Sequence, residues 1–402
     1  MVKLILYEYR KHFCKSSIIA AIFLFSIFNV IKINSIYEEN SLLSKNNSPL
    51  WKSLYQVMYQ EFGGNITKDK IEKLLSISRP LEKQIAEQTA NKAMDNPNTY
   101  TGNIYQDTLF FRWCFVNPMK YDFQYKSYAN DVVTLANENM TFFNTLGNIY
   151  EYRKNKYIAN LFHGRTISNF YYTEMYQYYL HYDFSSLLML LICLYGLVGV
   201  FVSEKETEMD TLLLTTKSGG SRSVLAKILS SFLFVSGICM WFLLLDFASF
   251  SFVFDSLSAA SAPLYAIQNF SDTSINITLF QYAVLSGLIK TAGMLVLAMV
   301  FLLLSCLFKN ALLPFIIGLS IAFGLIYFQI VYSNSDHVIL KAINPFSLII
   351  NRDLFRKTQF TNVCGVPIIN YVVSLFFSTV WSGLLLTGIA FFIRKNSIFK
   401  GR

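Results

Sequence analysis

Charge is scarce in this chain of 402 residues: 15% are Asp, Glu, Lys or Arg while 53% are hydrophobic, against roughly 25% charged in an ordinary soluble domain. That shortage excludes a soluble protein of usual composition, because so much apolar surface needs a solvent other than water. A Gly-x-x-x-x-Gly-Lys-Ser/Thr phosphate loop is also lacking, which excludes the usual nucleotide cradle. Histidine is rare, with 4 residues, and His163 and His181 have neither the spacing nor the acidic or Cys company of a metal site. The 6 cysteines, Cys14, Cys114, Cys193, Cys239, Cys306 and Cys364, are scattered without metal or redox spacing. Nothing in the spacing brings Cys114 to Cys364 as a disulfide. The chain has no Gly-x-Ser-x-Gly, no acid dyad, and no His with Asp or Glu at helical spacing inside an apolar run, so a membrane-embedded enzyme is disfavoured.

What is present is continuity of apolar sequence, and a transmembrane helix needs about 20 such residues to cross about 30 Å of hydrocarbon. Six runs meet or approach that length: 17–31, 184–202, 228–254, 281–308, 311–332 and 371–393. Lysine and arginine near span ends are retained in the cytoplasm. Lys3, Arg10, Lys11, Lys15, Lys205, Lys217, Arg222, Lys227, Lys309, Arg394, Lys395, Lys400 and Arg402 therefore place both termini there. A basic stretch precedes the first run, but no small-residue cleavage pattern follows, so that run reads as an anchor. The fold expected is an all-α membrane protein with six transmembrane helices. Residues 1–33 form an amphipathic interfacial helix and the first span, 34–183 a large, mostly helical extracytoplasmic domain, and 184–402 the other five spans. Within the last part lie a cytoplasmic loop, 203–227, and an outer loop, 333–370. Richness in Asn, Lys, Ile, Tyr and Phe fits an AT-rich bacterial genome and hence a bacterial plasma membrane.

Nucleic acid is a poor partner for this chain despite its pI near 9.0. Residues 34–183 balance at 15 charges of each sign, so the excess is a basic inner rim suited to membrane lipid. Residues 2–15 place Val2, Ile5, Leu6, Tyr9 and Phe13 on one helical arc, with Lys3, Arg10, Lys11 and Lys15 off it; a plain charged flank of the first span is the other reading. In the outer segment, Asp69 to Met94 reads as a helix kinked or restarted at Pro80, and Tyr125 to Phe162 as a second helical stretch. Tyr and Phe crowd Phe110 to Phe123 and Phe170 to Tyr182. Such crowding marks core packing and a headgroup-level belt, or else a docking surface for an amphipathic or peptide ligand.

The most informative segment is Val202 to Lys227. Glu204, Glu206, Glu208 and Asp210 favour a helix start, Met209, Leu212, Leu213 and Leu214 give a short apolar face, and Gly219 and Gly220 break it before Ser221 caps the next helix. An ordinary solvated loop has much the same composition. The residue order nevertheless resembles the membrane permeases of the type-two ABC exporter group at Glu204, Lys205, Leu212, Leu213, Leu214, Thr216, Lys217, Gly220, Arg222, Ala226 and Lys227; where that family has Gly after the acidic stretch, this chain has Glu208. The resemblance implies a coupling helix set against a cytoplasmic ABC ATPase dimer, with Glu204, Glu206, Met209, Leu212, Leu213, Leu214, Lys217 and Arg222 in the docking region. It also implies a second permease subunit, the same or related, and ATP and Mg handled by the ATPase, with no cofactor in this chain. Peptides, drugs or lipid-like molecules are the expected cargo, as in antimicrobial peptide resistance systems. A non-transporting sensor or scaffold whose external domain binds a peptide is the competing expectation.

Two charges interrupt the spans. Asp246 and Lys290 each lie eight or nine residues from the outer end of adjacent spans, about 12 to 14 Å deep at 1.5 Å per residue. A charge at that depth costs about 2.5 to 3.5 kcal/mol on insertion scales, and a direct ion pair between them is the expected remedy; snorkelling of Lys290 with Asp246 in water is the other.

Overall fold

The computed structural model describes residues 1–44, 50–87, 100–209, 221–255, 258–332 and 338–400. Six helices are long and apolar enough to cross a membrane: Ser16–Asn40, Glu174–Glu206, Arg222–Phe254, Leu279–Leu307, Leu312–Tyr332 and Asn370–Ile393. The first exceeds its expected end at Ile31 by more than two turns, because Lys32 to Asn40 continue as helix toward the domain between the first two spans. The second and fourth spans are the most enclosed, whereas the first, fifth and sixth leave most of their apolar surface open. The fourth packs against the second, third, fifth and sixth, and Leu190, Phe201, Phe234, Phe242, Leu297 and Phe301 form the core between them. Glycines allow close approach at two crossings: a Cβ on Gly196 meets the Phe234 ring at 2.7 Å, and one on Gly318 meets Leu194 at 2.6 Å.

The segment between the first two spans is a helical domain, with helices Trp51–Phe62, Lys68–Glu87, Ile104–Phe111, Asn117–Thr145 and Ile149–Phe162. The helix does not restart at Pro80: Lys68–Glu87 runs through it as one element, and the expected end at Met94 lies outside the described residues. Pro80 and Ser76 are both exposed, so the carbonyl deprived of its i+4 donor can face water. The expected single stretch over Tyr125 to Phe162 is instead a hairpin of two helices, turned at Gly147, whose φ of 68° suits a residue without a Cβ. Two short antiparallel pairs qualify the all-α expectation: Gly64–Asn65 with Asn169–Phe170, and Phe360–Val363 with Val366–Ile369. In the second, Cys364 and Gly365 both have positive φ, 51° and 81°, the signature of a tight primed turn.

Two aromatic cores organise this side. Trp51, Phe62, Phe110, Phe111, Phe115 and Phe170 form one within the domain. A second joins Tyr125 and Phe162 to Ile33, Phe250 and Tyr282 on the spans and to Phe270 and Phe355 in the connecting loops. The domain is thus seated on the bundle. Tyr121 and Tyr125 donate to the carbonyls of Tyr265 and Ser271, each at 2.8 Å, and the buried Arg165 donates to Thr273 O at 2.8 Å and Asn276 Oδ1 at 2.7 Å. Cys114 is buried in the first core, Cys364 is exposed at the hairpin turn, and both are free thiols.

Candidate functional site: a polar clamp at the loop face

At the face opposite the domain, the surface helix Val2–Phe13 lies against the third span and touches the second. Its final turn carries Arg10, Lys11 and His12, which suit the negative end of a helix dipole. Lys15 then adopts an extended conformation, φ −82° and ψ 141°, before the first span starts at Ser16. Of the apolar arc expected at the membrane face, Val2 and Leu6 are exposed, Ile5 and Tyr9 are half-buried and Phe13 is buried. The side against the protein includes Leu4, Glu8, Lys11 and His12, spaced i, i+4, i+7 and i+8 as one helical stripe, with Glu8 and His12 buried. Phe13 completes the seat by stacking on Phe234 at 4.3 Å between centroids, over the space Gly196 leaves.

Glu204, at the end of the second span, is the centre of the cluster. Its Oε1 accepts from Lys11 Nζ at 2.6 Å, and its Oε2 is bonded by Lys227 Nζ from the start of the third span. Lys227 is 3% exposed, and its ammonium also lies 5.2 Å over the Phe201 ring, a favourable cation–π placement. Burial pulls the Lys11 pKa down, but the bond to Glu204 and the charges of Glu204 and Glu8 outweigh it and leave the net shift upward. His12 is shifted downward, first by burial and then by Lys11 and Lys227, with Glu8 opposing. Its Nε2 lies 3.3 Å from Glu8 Oε2, close enough for attraction but not aligned as a hydrogen bond.

The next two residues continue the pattern. Lys205 Nζ donates to the carbonyls of Cys306 and Phe308 at the end of the fourth span, where helix carbonyls lack internal partners. Glu206 Oε1 accepts from Ala311 N at 3.0 Å, at the start of the fifth. Ser305 adds a buried link, donating to Val198 O at 2.6 Å and accepting from Phe201 N at 3.0 Å. Glu204, Lys205 and Glu206 therefore tie the surface helix and the third, fourth and fifth spans to the end of the second. Glu208 then takes a left-handed φ of 55°, a conformation that favours glycine.

The structure separates the expected docking residues into distinct places. Glu204 is turned into the bundle, so it fixes the root of the loop and presents no surface to another molecule. Glu206 is exposed but bound to the fifth span, and Met209 and Arg222 are exposed on either side of the loop. Leu212, Leu213, Leu214 and Lys217 lie outside the described residues. Glu8 and His12 were missed in sequence, although their i, i+4 spacing on a surface helix was a readable signal. Ligand atoms of Glu8, His12 and Glu204 lie within 4.8 Å of one another, yet both oxygens of Glu204 already hold lysines. A divalent ion there meets two ammonium groups at contact range, so the donor set does not suit a metal.

The intramembrane charges also differ from expectation. Among the described residues no ion pair joins Asp246 to Lys290. Asp246 Oδ1 instead accepts from Asn29 Nδ2 at 2.6 Å, and Asn29 Oδ1 accepts from Tyr182 OH at 2.7 Å. This chain binds the first span, the helix entering the second, and the third. Lys290 is buried rather than snorkelling, and it lines one small cavity with Asp246, Asp183 and Arg352. Asp183 and Arg352 are themselves paired at 2.7 Å. The direct pair failed as an expectation because a neighbouring amide, Asn29, itself held by the Tyr182 phenol and invisible to a rule about charges, supplies Asp246 with a donor.

No family model matches this chain, and neither a curated protein nor a solved structure matches it.

Proposed function

We propose that this chain is the membrane-spanning subunit of an ATP-driven exporter of the type-two ABC permease kind, working in a bacterial plasma membrane with a separate ATPase dimer and a second permease subunit. The observation that carries the reading is the anchoring by Glu204, Lys205 and Glu206. A loop that receives force from a motor must have its root fixed to the elements it moves, and this root is fixed to four. The left-handed Glu208 adds support, since it stands where the resembling permeases have glycine. On this reading ATP and its Mg ion stay with the partner, and closure of the ATPase dimer pushes the loop and shifts the bundle between two states. Met209 and Arg222, both exposed, would on the same reading meet the motor together with Leu212, Leu213, Leu214 and Lys217.

The test is affinity purification of the tagged full chain from its native membrane, followed by identification of bound proteins and assay of ATP hydrolysis. Recovery of an ATPase, and its loss on Leu213→Glu or Met209→Glu with the bundle intact, supports the reading. A chain that folds and purifies without any ATPase overturns it. The second reading, a sensor or scaffold whose domain binds a peptide, is favoured by a cavity of about 620 Å³ where the domain meets the bundle. It gains if ligand binds there while no ATPase is recovered.

A further inference from the structure

The 620 Å³ cavity lies where Asn40, at the end of the first span, and the stretch from Phe170 to Tyr178, entering the second, meet the outer domain. Its wall is aromatic, with Trp113, Tyr121, Tyr171, Tyr172 and Tyr178 among the lining residues. Aromatic faces carry negative electrostatic potential and attract organic cations. Two carboxyl groups line the same space, and they differ in kind. Glu174 is fully engaged, accepting from Leu42 N at 2.8 Å and Tyr172 OH at 2.6 Å, so it belongs to the framework. Asp122 is only 6% exposed, and among the described residues it has no hydrogen-bond or ion-pair partner. Lys120 lies two residues earlier on the same helix and is exposed, and no ion pair joins the two.

Asp122 is mostly covered, has no protein donor among the described residues and lines the cavity, so the occupant of that space is what can pair with it. A positively charged ligand group supplies that partner, and the surrounding rings accept both its charge and its carbon body. We infer that this cavity is a binding site for an organic cation, an ammonium or guanidinium head on an apolar body, with Asp122 as its counter-ion and the Trp113 and tyrosine faces as its walls. Such a ligand can reach the site along the outer membrane surface, since the wall is built from the ends of the first two spans. The inference goes beyond the exporter reading and does not rest on it: binding at the cavity requires no ATPase.

The experiment uses the full chain in nanodiscs of phosphatidylcholine, whose zwitterionic headgroups do not concentrate cations. The probes are 2-phenylethylamine and the neutral 2-phenylethanol, compared at neutral pH and just above pH 8, where the amine is still an ammonium ion and burial no longer keeps the Asp122 carboxyl protonated. Binding is read from the fluorescence of Trp113, assigned by its loss in Trp113→Phe, and independently from the shift of the thermal midpoint. The expected result is saturable binding of the amine at least tenfold tighter than the alcohol. Asp122→Asn, close to isosteric, is expected to abolish that preference and leave alcohol binding unchanged. Equal binding of amine and alcohol, no binding of the amine by either readout, or full retention of the preference in Asp122→Asn overturns the inference. The amine and alcohol comparison on the unaltered chain decides the matter even where the variant does not accumulate.

Discussion

Replacing Glu204 by glutamine removes the anion that two lysines share, and the geometry gives the size of the effect. The Lys227 side chain is 3% exposed and that of Lys11 35%, so the two respond differently. Lys227 is left in the bundle facing an amide, and breaking a buried pair from one side costs about 3 to 5 kcal/mol. Lys11 reaches water, so its share is closer to the exposed-pair range, at most about 1 kcal/mol. Glu204→Gln is therefore expected to lose at least about 3 kcal/mol and Lys11→Met about 1. The double variant Glu204→Leu with Lys227→Leu removes both charges together and should recover most of the loss, because well-packed apolar residues often replace a buried pair at no net cost. The assay is thermal and denaturant unfolding of the purified chain, read as a double-mutant cycle. Limited proteolysis reports release of the surface helix. Additive losses in the double variant, or Glu204→Gln as stable as the parent, refute the account.

Other variants test separate parts of the structure. Gly196→Val drives a side chain into the Phe234 ring, which already lies 2.7 Å from a bare Cβ; a loss of about 1 to 3 kcal/mol is expected, with earlier proteolysis of residues 1–15. Glu208→Gly relieves a left-handed φ and should be neutral to stabilising by thermal midpoint, whereas Glu208→Val should cost about 1 to 2 kcal/mol; the reverse order contradicts the conformational reading. Asn29→Leu strips Asp246 of its donor and should destabilise more than Lys290→Met in the same unfolding assay, an order that a direct Asp246 to Lys290 pair would invert. Burial pushes the carboxyl of Asp122 from 3.8 up to about 8, so its neutral form contributes stability that is fully present below pH 3.8 and is lost as pH rises through about 8. The parent should lose stability relative to Asp122→Asn across that window, by at most about 1.4 kcal/mol per pH unit; parallel pH profiles refute the assignment.

The spans were legible because twenty apolar residues in sequence admit few alternatives, and their limits moved only where polar residues such as Lys32 to Asn40 continued a helix outside the apolar run. The position of the loop between the second and third spans was legible from the apolar runs on either side of it, but the roles within it were not. Glu204 was expected to meet a partner, yet it is buried, because Lys11 and Lys227 arrive from segments 193 and 23 residues away that no local pattern connects. The surface helix was legible as a helix with an apolar arc, but hydrophobic periodicity did not show that Phe13 of that arc and the polar stripe of Glu8 and His12 would pack on the protein. The polar stripe does so because that side offers partners for Glu8 and Lys11. In the outer domain, tyrosine crowding gave both packing and a cavity wall, and nothing in sequence divides Tyr176, fully buried, from Trp113, which faces the cavity.

Two polar clusters join helices at different heights of the bundle. Near the loop face Glu204 joins the surface helix, the second span and the third; near the domain Asn29 and Asp246 join the first span, the approach to the second, and the third. The second and third spans are thus joined at both heights, with the surface helix held at the first and the first span at the second. The Phe13, Phe234 and Gly196 contact fills the loop-face end between these pins, with no polar group of its own. A group of helices fixed at two heights resists tilting of one member past another far better than apolar contact alone, because sliding breaks bonds that hydrocarbon cannot replace. The fifth and sixth spans have mostly open apolar faces. On the exporter reading, force applied at the loop therefore moves the spans bound to its root together, and relative motion falls at the border of the sixth, which packs on the fourth. A cysteine crosslink between the first and third spans should then be tolerated by substrate-stimulated ATP hydrolysis, while one between the sixth span and the fourth should arrest it. Arrest by the first crosslink with the second tolerated is the outcome that breaks the argument.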